Sequence, residues 1–310
     1  MAKHQLTGSS KENDPFLKIV LKGHKKPITD ITFHPQLTNQ FSTSSADGTL
    51  MVWNMVNNSR SYNYIGHTNT VTGTEYSPDA RILASCSLDQ TVRFWTPTIK
   101  GDCSEFKAHI KPIQCLNFSK DSSKLITGAR DKAIKMWDVS TKRFISSFLG
   151  HNHWIRSAKF FSSGKVIASC SEDKTVRIWD ASSGQCVHTF TGQEGIPVHV
   201  APYPNDNSIA VAMSSGAVRI YELRSRKLQQ HYILHTETTY VAWHPFDNYL
   251  LTSGKDGHVR IVDVMEGRPI YTVGGHDGGV TSVKFSADGE YFATGGEDNY
   301  VMLWKTNFIF

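Results

Sequence analysis

The stretch SEDKTVRIWD, residues 171–180, contains the pattern that decides the fold of the whole chain. Val176 and Ile178 alternate with polar neighbours, which is the two-residue period of a β-strand with one buried face. Asp173 precedes this run and stands six positions before Trp179. The stretch therefore predicts a tight polar turn that leads into a short strand ending on a buried tryptophan.

The same arrangement recurs seven times along the chain, as four columns of equivalent residues. The histidine column is Gly23-His24, Gly66-His67, Ala108-His109, Gly150-His151, Leu234-His235 and Gly275-His276, with Gln193 in the remaining unit. The hydroxyl column is Thr43, Ser85, Thr127, Ser169, Val211, Thr252 and Thr294. The acidic column is Asp47, Asp89, Asp131, Asp173, Ser215, Asp256 and Asp298, and the aromatic column is Trp53, Trp95, Trp137, Trp179, Tyr221, Val262 and Trp304.

The column residues have complementary hydrogen-bonding chemistry. A histidine ring can connect the turn carboxylate to the strand hydroxyl, and the tryptophan N–H supplies one more donor. We therefore expect the six histidines and six aspartates to form a structural relay. A catalytic or metal site is disfavoured, because nucleophile, base or ligands must converge at one centre, whereas these residues repeat around the chain.

Each unit reads as about four short strands, and no segment has a sustained helical period. On these columns the chain resembles the WD-repeat family along residues 16–308, with residues 1–15 as a flexible polar tail. The resemblance implies an all-β, seven-bladed propeller. Closure requires one more strand, and we expect FLKIVLK, residues 16–22, to pair into the last blade beside residues 301–305, which removes the exposed sheet edges.

Composition restricts the function classes. Hydrophobic residues make up 39% and charged residues 20% of the chain, which is typical of a soluble folded protein. The five cysteines form no C-x-x-C pair, and no stretch has the roughly 18 apolar residues of a membrane span. The formal charge of +5 comes without a long basic run. We expect no metal, cofactor, small-molecule substrate, nucleic acid or membrane as a partner.

The resemblance also implies a partner-binding surface. In WD-repeat propellers, the narrow face is lined by residues three and five positions after each column histidine and by the residue before each column aspartate. Carried over by position, this set includes Trp154, Arg156, Arg130 and Tyr240, which are residue types favoured at binding hot spots. The alternative is that Trp154 packs against neighbouring loops and the arginines are solvated.

The fifth unit departs from every column at once, with Gln193, Val211, Ser215 and Tyr221 at the four positions. A buried polar network that is only partly satisfied costs more than an apolar one, so a unit that loses one member is expected to lose the whole set. Neutral drift is the favoured explanation, and a partner contact near residues 195–207 is the alternative.

Several segments outside the columns resemble the Proteome-of-centriole-1 proteins: TVRFWTPTIKG (91–101), KLQQHYILH (227–235), VDVMEGRPIYT (262–272) and VMLWKTNF (301–308). This resemblance implies a non-enzymatic scaffold of centrioles and ciliary basal bodies in the cytoskeleton. Its implied partners are tubulin in microtubule walls and other centriolar proteins. The alternative is a generic WD-repeat adaptor, such as a substrate receptor of a ubiquitin ligase, and an enzyme is the least favoured class.

Overall fold

The computed structural model describes residues 15–56, 59–98 and 102–307. Within these residues, 28 β-strands form seven antiparallel sheets of four strands each. The predicted all-β, seven-bladed propeller is thus confirmed. The predicted tail, residues 1–15, lies outside the described residues except for Pro15, as does residue 308 at the other end of the predicted propeller.

The strands follow the chain in order, starting with β1 (Phe16–Lys22). Blade 1 has β2 (Ile28–Phe33), β3 (Gln40–Ser45), β4 (Thr49–Asn54) and β5 (Ser59–Ile65). Blade 2 has β6 (Val71–Tyr76), β7 (Leu83–Ser87), β8 (Thr91–Trp95) and β9 (Cys103–Lys107). Blade 3 has β10 (Ile113–Phe118), β11 (Lys124–Ala129), β12 (Ile134–Asp138) and β13 (Phe144–Phe148).

Blade 4 has β14 (Ile155–Phe160), β15 (Val166–Ser171), β16 (Val176–Asp180) and β17 (Cys186–Phe190). Blade 5 has β18 (Pro197–Pro202), β19 (Ser208–Met213), β20 (Ala217–Glu222) and β21 (Lys227–Ile233). Blade 6 has β22 (Thr238–Trp243), β23 (Tyr249–Gly254), β24 (His258–Asp263) and β25 (Arg268–Gly274). Blade 7 has β26 (Val280–Phe285), β27 (Tyr291–Gly296) and β28 (Tyr300–Lys305) and is completed by β1. We name the strands of each blade A to D from the centre outward.

The ring closes through β1, as predicted. This strand pairs antiparallel with β28, so that Leu21 lies opposite Val301 and Phe16 opposite Lys305. On the inner side, the hydroxyl of Thr281 in blade 7 donates a 2.7 Å hydrogen bond to the carbonyl oxygen of Ile28 in blade 1. The two ends of the chain are therefore joined both by a strand pair and by an inter-blade hydrogen bond.

The hydrophobic core is divided into seven clusters, and each cluster lies between two adjacent blades. The closing cluster joins Leu21 of β1, Val301 of β28 and Phe41 of β3. Because each blade buries one face against each neighbour, the second strand of every blade is buried on both faces, as the pattern of β3 shows. The buried cysteines Cys86, Cys115 and Cys170 belong to these clusters, where burial raises the pKa of Cys115 to about 11.

The B–C turns share one unusual backbone conformation. The residue after the acidic column has a positive φ in all seven blades: Gly48, Gln90, Lys132, Lys174, Gly216, Gly257 and Asn299. In blade 1, the Asp47 carboxylate accepts hydrogen bonds from both the N–H and the hydroxyl of Thr49, at 2.9 and 2.7 Å. The aspartate side chain thus holds a turn that most residues adopt only at some cost.

Candidate functional site

The relay is formed in full by blade 4. His151 Nδ1 lies 2.8 Å from Asp173 Oδ2, and His151 Nε2 lies 2.8 Å from Ser169 Oγ. Trp179 Nε1 donates to the same Ser169 oxygen at 2.8 Å. Because tryptophan can only donate, the serine O–H points to His151 Nε2, and the histidine proton is left on Nδ1 to bind the carboxylate. The relay therefore connects the loop entering the blade, the B–C turn and strands B and C.

Four other blades build the same relay. The separations from histidine Nδ1 to the carboxylate are 3.1 Å for His24–Asp47, 2.8 Å for His67–Asp89, 2.8 Å for His109–Asp131 and 3.0 Å for His276–Asp298. In blade 6, His235 contacts Asp256 at 2.9 Å and Thr252 at 3.0 Å. Val262 replaces the tryptophan there, and the Thr252 hydroxyl lies 3.2 Å from the carbonyl oxygen of Arg260. All twelve predicted relay residues are therefore joined pairwise within their own blades.

The relay makes folding sensitive to acid. Burial alone would raise the pKa of Asp173, but hydrogen bonds donated by Thr175 and by neighbouring groups hold it at about 2. Burial lowers the pKa of His151 and of His235 despite their carboxylate partners. Both kinds of group therefore take up protons more readily in the unfolded chain than in the folded one.

We expect the melting temperature to fall in two stages as the pH decreases. The first stage begins below about 6.5, where unfolded histidines gain protons, and the second lies between about 4 and 2, where unfolded aspartates do so. Circular dichroism melts at constant ionic strength between pH 8 and 3 measure this. A melting temperature that is unchanged between pH 7.5 and 5 would contradict the histidine part.

Blade 5 replaces the relay with a smaller network. The Gln193 side-chain oxygen accepts hydrogen bonds from the Tyr221 hydroxyl at 2.8 Å and from Arg219 Nη1 at 3.1 Å. Gln193 is buried and occupies the histidine position. Blade 5 has lost the relay as a whole, as its sequence indicates, and a glutamine, an arginine and a tyrosine form a different network in its place.

The narrow face is the side on which the loops entering the blades meet the B–C turns. One backbone hydrogen bond orders it in every blade, donated by the residue before the acidic column to a carbonyl in the entering loop. The seven donor–acceptor pairs are Ala46–Pro27, Leu88–Thr70, Arg130–Pro112, Glu172–Trp154, Ser214–Ile196, Lys255–Glu237 and Glu297–Gly279, at 2.8–3.0 Å. These pairs place the side chains of both loops at the rim of the central channel.

Three of the four predicted binding residues meet at the boundary of blades 3 and 4. The Arg130 guanidinium lies 4.4 Å from the centroid of the Trp154 ring, in a cation–π arrangement. Arg156 Nη2 and His153 Nδ1 lie 2.7 and 2.9 Å from the two carboxylate oxygens of Glu172. Trp154 keeps 36% of its surface exposed. We call Arg130, His153, Trp154, Arg156 and Glu172 the Trp154 cluster.

Tyr240 does not lie on the narrow face. It is only 7% exposed, stacks on His199 with ring centroids 3.6 Å apart, and its hydroxyl lies 3.2 Å from Asp30 Oδ1. The reason is that the loop after His235 is one residue shorter than the equivalent loops of the other blades. The Lys255 N–H therefore donates to the carbonyl of Glu237, the second residue after His235, and not to that of Thr238, the third. The sequence carried a signal of this: His235 and Asp256 are 21 residues apart, against 22 in blades 2, 3, 4 and 7.

Tyr240 belongs to a polar group around the central channel that the sequence columns did not reveal. Asp30 also accepts hydrogen bonds from the backbone N–H of Thr74 and the hydroxyl of Ser282, at 3.2 and 3.3 Å. Nearby, Lys159 Nζ lies 3.6 Å from Glu75. Burial raises the pKa of Asp30, although Lys159 opposes this effect. These contacts tie blades 1, 2, 4, 6 and 7 together at the axis.

The part of the chain that the structure describes contains no group of three or more histidine, cysteine or acidic side chains placed to hold a metal ion. No helix in the described ranges is long and apolar enough to cross a membrane. A surface depression of about 560 Å³ lies between blades 2 and 3 on the side opposite the narrow face and is lined by residues such as Asp79, Asp102 and Asp138.

Comparison with known proteins agrees with this architecture. Residues 12–238 match the family described as IFT122 first beta-propeller. The chain belongs to the WD-repeat family, with a propeller of this IFT122 type. Residues 226–263 and 267–305 each match the WD domain, G-beta repeat, so family matches extend over nearly all of the WD-repeat propeller.

Individual relatives are similar over a shorter part of the chain. Denticleless protein homolog A of Xenopus laevis is 35% identical over 104 residues, which are 32% of this chain and 15% of that protein. The human Denticleless protein homolog is 34% identical over 110 residues, 33% of this chain and 15% of that protein. The chain thus spans about 15% of the length of these curated relatives. Neither is a Proteome-of-centriole-1 protein, so that finer resemblance stays a prediction.

Proposed function

We propose that this protein is a non-enzymatic adaptor that holds partner proteins on the narrow face of its propeller, in the manner of a substrate receptor of a ubiquitin ligase. The observation that carries the proposal is the Trp154 cluster. An exposed indole, a stacked arginine and a second arginine positioned by Glu172 meet on one rigid surface. Interface hot spots are enriched in tryptophan and arginine, and rigid placement reduces the entropy lost on binding.

Two further features support an adaptor. The column residues that resemble catalytic groups are joined pairwise in separate blades, so they do not converge on one reaction centre. The relatives reported above are Denticleless proteins, which favours the general adaptor over the centriolar scaffold. The identity of the partner proteins and the location of the protein in the cell are likewise part of what we propose.

A centriolar scaffold is the second candidate. Two of the segments on which this resemblance rests lie on a different surface of the propeller. Two of the segments that resemble Proteome-of-centriole-1 proteins include the outer strands β21 and most of β25, in which exposed residues predominate. These strands lie on the rim of the propeller, away from the Trp154 cluster. A positive chain and acidic tubulin are electrostatically complementary. This candidate therefore places the microtubule contact on the rim and the location at centrioles or basal bodies.

Affinity capture from cell extract, followed by mass spectrometry, tests the proposed adaptor. We expect Trp154→Ala to reduce the recovery of specific partners about tenfold or more, because it removes the centre of the cluster. Phe246→Ala is the matched control, since Phe246 is 73% exposed and lies in the A–B turn of blade 6 on the opposite face. Equal recovery by the two variants, with equal melting temperatures, would mean that the narrow face is not the binding surface.

Fluorescence microscopy of a tagged chain separates the two candidates. A centriolar scaffold is expected to concentrate at centrioles or basal bodies, and it should keep that location with Trp154→Ala, because the rim is unchanged. A generic adaptor shows no such concentration. Concentration at centrioles that depends on Trp154 would instead assign the centriolar partner to the narrow face.

A further inference from the structure

The charges of the Trp154 cluster are unevenly compensated. Glu172 is the only carboxylate among its five residues, and both of its oxygens are engaged, one by Arg156 and the other by His153. Arg130 stands beside this group without a carboxylate of its own. In the described residues, no ion pair or hydrogen bond engages the Arg130 guanidinium, and its Nε is enclosed without a partner.

Equivalent positions on the narrow face show that this is unusual. Only two of the seven residues before the acidic column are cationic, Arg130 and Lys255. Lys255 Nζ lies 2.8 Å from Glu237 of the entering loop, so its charge is compensated. The loop facing Arg130 supplies Lys111 and Pro112 instead, and Lys111 is exposed. The positive electrostatic potential around Arg130 is therefore raised by its surroundings.

The geometry of a stacked arginine suits an anionic ligand. A guanidinium over a ring face keeps its N–H groups free, because they point outward in the plane of the guanidinium, where they can bind a carboxylate with two parallel hydrogen bonds. The ring also fixes the position of the guanidinium, so little side-chain entropy remains to be lost on binding. The exposed indole beside it offers an apolar surface for the methylene groups of a glutamate.

We propose that Arg130 and Trp154 form a subsite for a carboxylate side chain in a glutamate-rich segment of a partner protein. The inference rests on the proposed function, because it names the chemistry of the partner that the narrow face holds. Lys111 lies in the loop facing Arg130 and Lys132 lies in the same turn as Arg130; both are exposed and extend the positive surface that further acidic residues of the partner segment would contact. Arg156 is excluded from this role by its ion pair with Glu172.

Fluorescence anisotropy with short labelled peptides tests the subsite. The probe is a hexapeptide of alternating glycine and glutamate, and the matched peptide carries glutamine in place of glutamate. We expect the glutamate peptide to bind at least about tenfold more tightly than the glutamine peptide, and Arg130→Gln to remove this preference. Arg130→Lys should restore only part of it, since lysine keeps the charge but not the planar fork. Arg224→Gln, an exposed arginine in the C–D turn of blade 5 on the opposite face, should have no effect.

The outcomes separate this inference from the proposed function. If the glutamate preference is absent, or survives Arg130→Gln, the carboxylate subsite is wrong, while loss of partners with Trp154→Ala still supports the adaptor. If the preference depends on Arg130 but partner recovery does not depend on Trp154, the subsite stands and the adaptor is wrong. A labelled hexathymidine that binds more tightly than the glutamate peptide, with the same dependence on Arg130, would overturn the inference in favour of a nucleic-acid phosphate site.

Discussion

Deleting residues 1–22 is expected to leave the chain unable to accumulate as a stable soluble monomer. The deletion removes β1, so blade 7 keeps three strands and the backbone of β28 becomes an open edge. It also uncovers the cluster that joins blades 7 and 1. Burial of each large apolar side chain contributes about 1.5–3 kcal/mol, and β1 carries several, so the loss approaches the roughly 5–15 kcal/mol by which proteins are stable.

A shorter deletion and a pair of point variants make this result specific. Removing residues 1–14, which ends before β1, is expected to leave the melting temperature unchanged. Leu21→Ala should lower the free energy of unfolding by about 2–5 kcal/mol, because Leu21 is 4% exposed within the closing cluster. Phe16→Ala, in the same strand but 47% exposed, should cost much less. Urea denaturation measures these values, and equal effects of the two point variants would refute closure through β1.

Gly216→Ala is expected to destabilise the protein far more than Gly48→Ala. Both glycines occupy the same position of the B–C turn, with φ of +83° and +82°, so both variants bear the same backbone cost of about 1–2 kcal/mol. They differ in the space available for a Cβ atom. At Gly48 the nearest atom would be 3.3 Å away, whereas at Gly216 the Cβ would overlap the carbonyl oxygen of His235.

The overlap at Gly216 has a structural origin in the junction of blades 5 and 6. The N–H groups of Leu234 and His235 both donate to the Gly216 carbonyl, at 3.0 and 3.1 Å, which holds the entering loop of blade 6 against the turn. Relieving the overlap requires both bonds to shift, at an additional cost of about 1–3 kcal/mol. Thermal melts of the two variants beside the wild type measure the difference. Equal melting temperatures would show that the loop moves aside freely.

The relay was predictable because it depends on local chemistry repeated at constant spacing, whereas the ring closure was predicted from the strand pattern of residues 16–22 and the resemblance to a closed propeller. Within a blade, strand register places the histidine, the hydroxyl residue and the tryptophan together whenever their spacing is kept. Tyr240 shows the limit of this reasoning, since one missing residue after His235 moved it from the face to the channel. The blade 5 network was missed because Gln193 and Arg219 match no column, although both carry side chains able to replace the relay.

By itself, the sequence determined the number of blades and the relay within each complete blade. These features follow from side chains whose pairing is dictated by strand periodicity and short turns. Only the tertiary structure decided which surface residues meet. Arg130 and Trp154 belong to different blades, and their contact depends on how close the blades pack. Among the described residues, the same packing gives Arg130 no carboxylate partner, while Lys255, at the equivalent position, pairs with Glu237.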